Sequence, residues 1–250
     1  AEKAIVLDAA TGRVLYEKNA GERSLIASTT KIMTALIVCE QCNVLDRMRI
    51  PKEAVGIEGS SMYLKEGEIL TLQELLYGLM LNSGNDAAVA IACAVSGSVE
   101  NFARLMNSKA KEIGVKNTGF KNPNGLDEDG HYTTAYDLAM ISAYGLKNKE
   151  FKKIVSTFQT TIPGSEKGTK RYLTNHNKLL NLYNGACGIK TGYTDDAGRC
   201  LVSAAQRDGL TLVAVTLNAP DDWRDHGNML DLGYSIYESK TLCSIGQFSY

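Results

Sequence analysis

The apolar positions of this chain change period along its length. Residues 3–19, "KAIVLDAATGRVLYEKN", read as two short strands around Ala10-Thr11-Gly12-Arg13, the opening of a hairpin. Residues 28–42 predict a helix that is apolar nearly all round through 32–39, and such a helix belongs in the protein centre. Thr71 precedes Leu72, Leu75, Leu76 and Leu79 at helical spacing, which predicts a helix over about 72–81. "NSGND" breaks it. "DAAVAIACAVSG" then reads as a closely packing small-residue helix, and Ser98 caps another through about residue 113.

The Gly-, Asn- and Asp-rich loop "GFKNPNGLDEDGHYTTAYDLA" feeds a helix over about 134–146. Residues 156–163 resemble a strand, and "GSEKGTKRYLTNHNKLLNLYNG" reads as a loop. "CGIKTGY", "RCLVSAAQ" and "TLVAVTLNA" are successive strand candidates separated by the turns "TDDAG" and "RDG", an antiparallel meander. "DDWRDHGNMLDLGYSIYES" closes with an amphipathic helix.

Strands, a helical middle, then strands and a last helix predict an α/β (α+β) architecture. An antiparallel sheet drawn from both ends of the chain is flanked by helices and carries an inserted helical region. The expected catalytic domain spans 1–240, with sheet-forming regions at about 1–60 and 150–240 and the helical insertion at about 61–149. Residues 241–250 are expected to begin a further C-terminal segment.

The 250 residues suffice for a sizeable core, and 44% hydrophobic with 22% charged residues is ordinary for a soluble globular protein. A net charge of −1 without a long basic or acidic run argues against nucleic acid or a charged membrane surface as the main partner. No apolar segment approaches the roughly 20 residues of a membrane span. The N-terminus enters strand-like sequence directly, so any secretory signal has been removed. Cys39-Glu-Gln-Cys42 has C-x-x-C spacing but no second pair and no nearby histidine, so small buried or helix-end thiols are the expectation. Whether the cysteines pair is open. His131 and His226 show no metal-ligand grouping, and no metal or other cofactor is expected.

The chemistry starts at "IASTTKIMTALIVC", where Ser28 and Lys31 stand three apart on one helix face. A lysine there meets the positive end of the helix dipole, and burial disfavours its ammonium form. A neutral lysine beside a hydroxyl is a general base for nucleophilic attack. The pattern S-x-x-K is weak by itself, since Ser108–Lys111 repeats it on a polar helix stretch. Ser83-Gly-Asn85 at the break between two helices and Lys190-Thr191-Gly192 on a strand running into a turn are each common too. The three in this chain order are a far more specific signal, known from penicillin-binding proteins and class A β-lactamases.

With these motifs the sequence resembles the serine-type D-alanyl-D-alanine carboxypeptidases, the low-molecular-mass penicillin-binding proteins. The resemblance runs from the opening hairpin to the final helix and includes "ASTTKIMTAL", "LMLNSGNDAAVAIA", "NPNGLDEDGHYTTAYDLA" and "GIKTGYTDDAG". It implies the penicillin-binding protein/β-lactamase-like serine transpeptidase fold. It also implies catalytic roles for Ser28 (the acylated nucleophile), Lys31 (its base) and Ser83. Asn85, Lys190, Thr191, Gly192 and Tyr193 would bind substrate: Lys190 adds positive charge, Thr191 takes the terminal carboxylate, and the N–H groups of Ser28 and Tyr193 form an oxyanion hole. Such donors are typically worth about 3 kcal/mol each. The second carboxylate contact is open among His176, Arg199 and Arg224.

The implied substrate is a peptidoglycan stem peptide ending in D-Ala-D-Ala, with β-lactams as covalent inhibitors. The implied place is the bacterial cell envelope, with a membrane tether outside this chain. Two alternatives share the nucleophile. A β-lactamase needs a deacylating glutamate, and neither Glu128 nor Glu166 lies in an E-x-x-L-N context. A β-lactam or peptidoglycan sensor would acylate without turning over.

Overall fold

The computed structural model describes residues 1–240; the expected C-terminal segment at 241–250 lies outside the described residues. The elements in chain order are strands β1 (Lys3–Asp8) and β2 (Val14–Lys18), helix α1 (Lys31–Gln41), strands β3 (Arg47–Arg49) and β4 (Ile69–Thr71), and helices α2 (Leu72–Leu81), α3 (Asn85–Ser96), α4 (Val99–Ile113), α5 (Ala135–Gly145) and α6 (Lys149–Ser156). Strands β5 (Gln159–Pro163) and β6 (Lys170–Thr174), the short helix α7 (Leu179–Leu182), strands β7 (Ala186–Thr194), β8 (Gly198–Arg207) and β9 (Leu210–Leu217), and helix α8 (Asp222–Ile236) follow.

The main sheet has the order β2-β1-β9-β8-β7, with every neighbouring pair antiparallel. The N-terminal hairpin therefore docks onto the last strand of the C-terminal meander. Alternation explains why β1 is buried throughout and apolar over residues 4–7. Ala4 and Val6 face Leu212, Ala214 and the Met229–Leu230 stretch of α8, while Ile5 and Leu7 face the larger core that holds α1. A strand covered on both faces has no solvent side to mark with polar residues. No single helix among the described residues is long and apolar enough to cross a membrane.

The predicted helix ends are set by local chemistry. Thr71 accepts from Glu74 N at 3.1 Å while Glu74 Oε2 accepts from Thr71 N at 2.7 Å, a reciprocal cap for α2. Ser98 Oγ accepts from Asn101 N at 3.1 Å and starts α4.

Three differences from the sequence reading have tertiary causes. The stretch read as helix from residue 28 opens as a 3-10 turn, Ala27–Thr30, with α1 starting at Lys31. Thr29 donates both its N–H and its hydroxyl to Ile26 O, and Ala27 stands at φ +47°, so the chain winds tightly before the α-helix begins. The stretch read as the loop 164–185 holds β6 and α7. Strand β6 pairs with β5 in a separate two-stranded sheet, because Leu173 is buried and Arg171 is tied to Glu68, Met62 O and Tyr63 O. Strand β3 pairs with β4 rather than entering the main sheet.

Candidate active site

Ser28 stands half-buried in the 3-10 turn, and Lys31, one turn on, is fully buried. Lys31 Nζ lies 2.7 Å from Ser28 Oγ, 2.7 Å from Asn85 Oδ1 and 2.6 Å from the carbonyl oxygen of Asn124. Two of these neighbours can only accept. Asn124 O is a main-chain carbonyl, and Asn85 keeps its oxygen toward Lys31 because its Nδ2 donates to Glu58 O at 2.6 Å. A neutral amine has two N–H bonds and one lone pair. With both N–H groups taken by Asn85 and Asn124, the lone pair is left for the hydroxyl of Ser28.

The electrostatics favour that neutral form. Burial pushes the Lys31 ammonium well below the ordinary lysine value, and the nearby charge of Lys190 pushes the same way, against the opposite pull of Asp86. Lys190 is itself buried and, held down by desolvation, titrates at about 7. Its ammonium donates to Thr191 O at 2.9 Å. Asp86 spends its carboxylate on Ser61 Oγ and on the N–H groups of Met62, Leu64 and Ala87, not on either lysine.

Close backbone approach assembles the walls. A Cβ on Gly192 would lie 3.1 Å from Ile26 O, Ser28 N and Thr29 N, so only glycine lets β7 pass this near the serine turn. The strand carries Lys190, Thr191, Gly192 and Tyr193 along the site in one extended run. Across from it, Gly125 (φ +92°) sits so tightly against Ala27 and Thr30 that a Cβ would collide with the Ala27 carbonyl. The same loop is pinned by Thr34 Oγ1 donating to Pro123 O at 2.7 Å and by Asn122 Oδ1 accepting from Gly125 N at 2.8 Å. Ser83 is buried between α2 and α3 at φ +61°, an uncommon conformation for a residue with a Cβ. Asn85 opens α3, and its N–H donates to Ser60 O at 2.7 Å.

Two lobes of one cleft open at Ser28. A recess of about 310 Å³ is lined by Ser28, Ser83, His176, Thr191, Arg199 and Trp223. A wider trough of about 740 Å³ runs the other way, past Asn85 and Asn124 and out between Asp127 and the 194–196 turn. All eight residues singled out in the sequence thus cluster: six line these lobes, Lys31 lies buried against Ser28 and Asn85, and Lys190 lies buried behind Thr191. Of the three residues left open for the carboxylate, His176 and Arg199 line the recess. Arg224 is absent from that lining and pairs with Asp221 at 3.1 Å. Arg199 is held by Asp222 at 2.8 Å. Neither Glu128 nor Glu166 lines either lobe; Glu166 pairs with Lys65 on the surface.

Several contributors escape sequence reading. Asn124 acts through its carbonyl, which has no signature beyond the Asn/Gly-rich loop that carries it. His131 supports the serine turn from behind. Its Nδ1 accepts from Lys121 N at 3.1 Å, which leaves Nε2 as the protonated nitrogen that donates to Thr30 Oγ1 at 2.8 Å. Desolvation lowers this histidine to about 4, keeping it neutral. The C-x-x-C thiols are free, and burial raises that of Cys39 to about 12, a poor nucleophile.

Comparison with known proteins identifies relatives of the whole fold. The profile of the family described as D-alanyl-D-alanine carboxypeptidase matches residues 1–221. D-alanyl-D-alanine carboxypeptidase DacF of Bacillus subtilis is 40% identical over 250 residues, covering 97% of this chain and 64% of that protein. DacC of Escherichia coli is 35% identical over 262 residues, covering 95% of this chain and 62% of that protein. The chain thus spans a little under two thirds of the length of these two relatives. The crystal structure of a Streptomyces DD-transpeptidase superposes with a TM-score of 0.89 at 33% identity, covering 94% of this chain and 97% of the other. A penicillin-binding protein homologue from Mycobacterium tuberculosis gives 0.90 at 29% identity, covering 98% of this chain and 95% of the other. By sequence and by fold, this chain belongs to the D-alanyl-D-alanine carboxypeptidase family.

Proposed function

We propose that the protein is a serine DD-carboxypeptidase that removes the terminal D-alanine from peptidoglycan stem peptides. The observation that carries this reading is Lys31 Nζ standing 2.7 Å from Ser28 Oγ, with Asn85 Oδ1 and Asn124 O as its other two hydrogen-bond partners. Ser28 attacks the carbonyl of the D-Ala–D-Ala bond as Lys31 takes its proton. The N–H groups of Ser28 and Tyr193 receive the negative charge on the tetrahedral oxygen. Ser83 relays a proton to the departing amine, and Asn85 holds the acyl-side backbone. Thr191 binds the terminal carboxylate, with Arg199 as the cationic side chain on that wall and His176, whose imidazolium burial and Lys190 both disfavour, beside it. Water then hydrolyses the acyl-enzyme.

β-Lactams enter as covalent inhibitors because their carbonyl and carboxylate imitate the terminal dipeptide. The substrate lies outside the bacterial cytoplasm, so the protein works at the cell envelope. The test is twofold: free D-alanine measured over many turnovers with a D-Ala-D-Ala peptide, and intact mass after penicillin treatment of the protein and of Ser28→Ala. Sustained release with an adduct only on the unaltered protein is expected. An adduct that persists in Ser28→Ala overturns the nucleophile assignment, and one slow acylation without turnover overturns the carboxypeptidase reading in favour of a sensor.

A further inference from the structure

Helix α8 buries Asp222, His226, Met229, Leu230 and Gly233. His226 is fully buried, and both ring nitrogens are engaged. Nδ1 lies 2.5 Å from Ser203 Oγ on β8, and Nε2 lies 2.9 Å from Thr216 Oγ1 on β9. Burial lowers the imidazole to about 3, so it stays neutral, with one ring nitrogen donating a hydrogen bond and the other accepting one. Met229 and Leu230 add apolar contact, which is non-directional and by itself lets a helix slide or turn on the sheet. Two hydrogen bonds to neighbouring strands fix both. No side-chain cap holds the start of the helix at Asp221. His226 is therefore the peg that sets where the first turn of α8 stands.

That first turn reaches the cleft. Asp222, one helical turn before His226 and on the same helix face, is buried and accepts from Arg199 Nη2 at 2.8 Å. Its Oδ1 also accepts from Trp223 N at 3.0 Å, which ties the carboxylate to the helix. Arg199 shares one face of β8 with Ser203, and its guanidinium lies 5.9 Å from the centre of the Trp223 ring. Arg199, Asp222 and Trp223 line the recess with Thr191, whereas His226 lines neither lobe. Strand β8 fixes only the backbone of Arg199; Asp222 and Trp223 decide where its long side chain ends. We propose that His226 is a positioning residue for acyl transfer: through the first turn of α8 it holds Arg199 so that the guanidinium donors Asp222 does not use meet a carboxylate bound at Thr191. This rests on the carboxypeptidase reading and adds a buried group, outside the cleft, on which recognition of that carboxylate depends.

The test compares second-order rates of acylation by benzylpenicillin and by its methyl ester, in which the carboxylate is masked. The acid-to-ester ratio is internal to one preparation, so loss of folded protein cancels. The unaltered protein should prefer the acid, and Arg199→Gln should lower that preference about tenfold or more, the scale of a lost hydrogen bond between charged groups. His226→Leu should lower it roughly three- to tenfold, within the coupling range of residues in one network. In R199Q/H226L the preference should fall no further than in Arg199→Gln alone, because both changes act through one contact. If the leucine variant does not fold, Thr216→Val removes one partner of the ring and keeps its shape, and the ratio should fall in the same direction by less. An unchanged ratio in His226→Leu, or in Thr216→Val where that variant replaces it, overturns the positioning role. So does a double variant in which the two losses multiply. Either result leaves the carboxypeptidase reading intact. A ratio near one in the unaltered protein, or unchanged in Arg199→Gln, removes Arg199 from the carboxylate wall and this role with it. A protein that neither penicillin acylates removes the reading beneath both.

Discussion

Ser28–Lys31 and Ser108–Lys111 repeat one four-residue pattern in two places, and between the second pair lies another buried lysine, Lys109. Ser108 and Lys111 are exposed on α4. Lys109 is also largely buried, though less deeply than Lys31, and pairs with Glu40 and Glu112, both at 2.8 Å. Burial pulls its pKa down, yet the hydrogen bonds to Glu112 and Glu40 carry it above the ordinary value. Lys31 is surrounded by a hydroxyl, an amide oxygen and a main-chain carbonyl, with a second lysine nearby, and its pKa falls. Burial alone therefore does not make a base. The partners decide the sign, and a site that withholds a bonded carboxylate keeps its lysine neutral.

The sharpest way to break this comparison is to substitute the serine and the lysine of both copies. Ser28→Ala should lower D-alanine release on the order of 10⁶-fold, the scale of nucleophile loss in a serine hydrolase. Lys31→Arg, which cannot give up its charge, should abolish penicillin acylation. Ser108→Ala and Lys111→Met should leave both rates and the unfolding midpoint nearly unchanged. A large loss in the second pair would show that the pattern, not its surroundings, carries the chemistry.

Next in size is the glycine that lets the strand reach the serine turn. Gly192→Ala places a methyl group against three backbone atoms at 3.1 Å, so β7 must shift by tenths of an ångström. Acylation should fall about 10- to 100-fold, with a smaller change in thermal stability, because positioning errors of this kind weigh mainly on rate.

Lys190→Met tests the electrostatic half of the comparison. Lys190, charged below about pH 7, depresses Lys31, so its removal lets the Lys31 pKa rise. The acid limb of the penicillin acylation profile should then move to higher pH. An unmoved limb would leave burial as the sole cause of the neutral amine.

The smallest effects should appear in stability against pH, with opposite signs for the two buried lysines. Lys31 is lowered in the folded protein, so the unfolded chain binds the extra proton and stability rises with pH from the lowered value up to about 10.5. Lys109 is raised, so its contribution is in place below 10.5 and is lost as pH climbs through the higher folded value. Measured by denaturant unfolding, Lys31→Met should gain on the parent most at low pH. Lys109→Met should lose most there and recover above 10.5.

Much of the molecule was legible because local rules dominate where elements are long and periodic. Helix α2 begins at Thr71 because its capping box is written in four residues, and α4 begins at Ser98 for a similar reason. The meander β7–β9 follows from apolar runs broken by turn residues. Strand β6 was not legible, since "KRYLT" has little apolar alternation. Its strand form depends on the grip of Arg171 on Glu68 and on the 62–63 backbone, more than a hundred residues away in sequence.

The sequence by itself determined which functional groups are present and in what order: a serine and a lysine one turn apart, Ser83-Gly-Asn85 at a helix break, and Lys190-Thr191-Gly192 on a strand. Only the tertiary structure decided that burial and Lys190 lower Lys31 while paired carboxylates raise Lys109, that a carbonyl from Asn124 completes the surroundings of Lys31, and that four carboxylates from three segments face one lobe of the cleft. The reason is physical. Charge state depends on desolvation and on neighbours brought from far along the chain, and main-chain groups, identical at nearly every residue, acquire identity only from where the fold puts them.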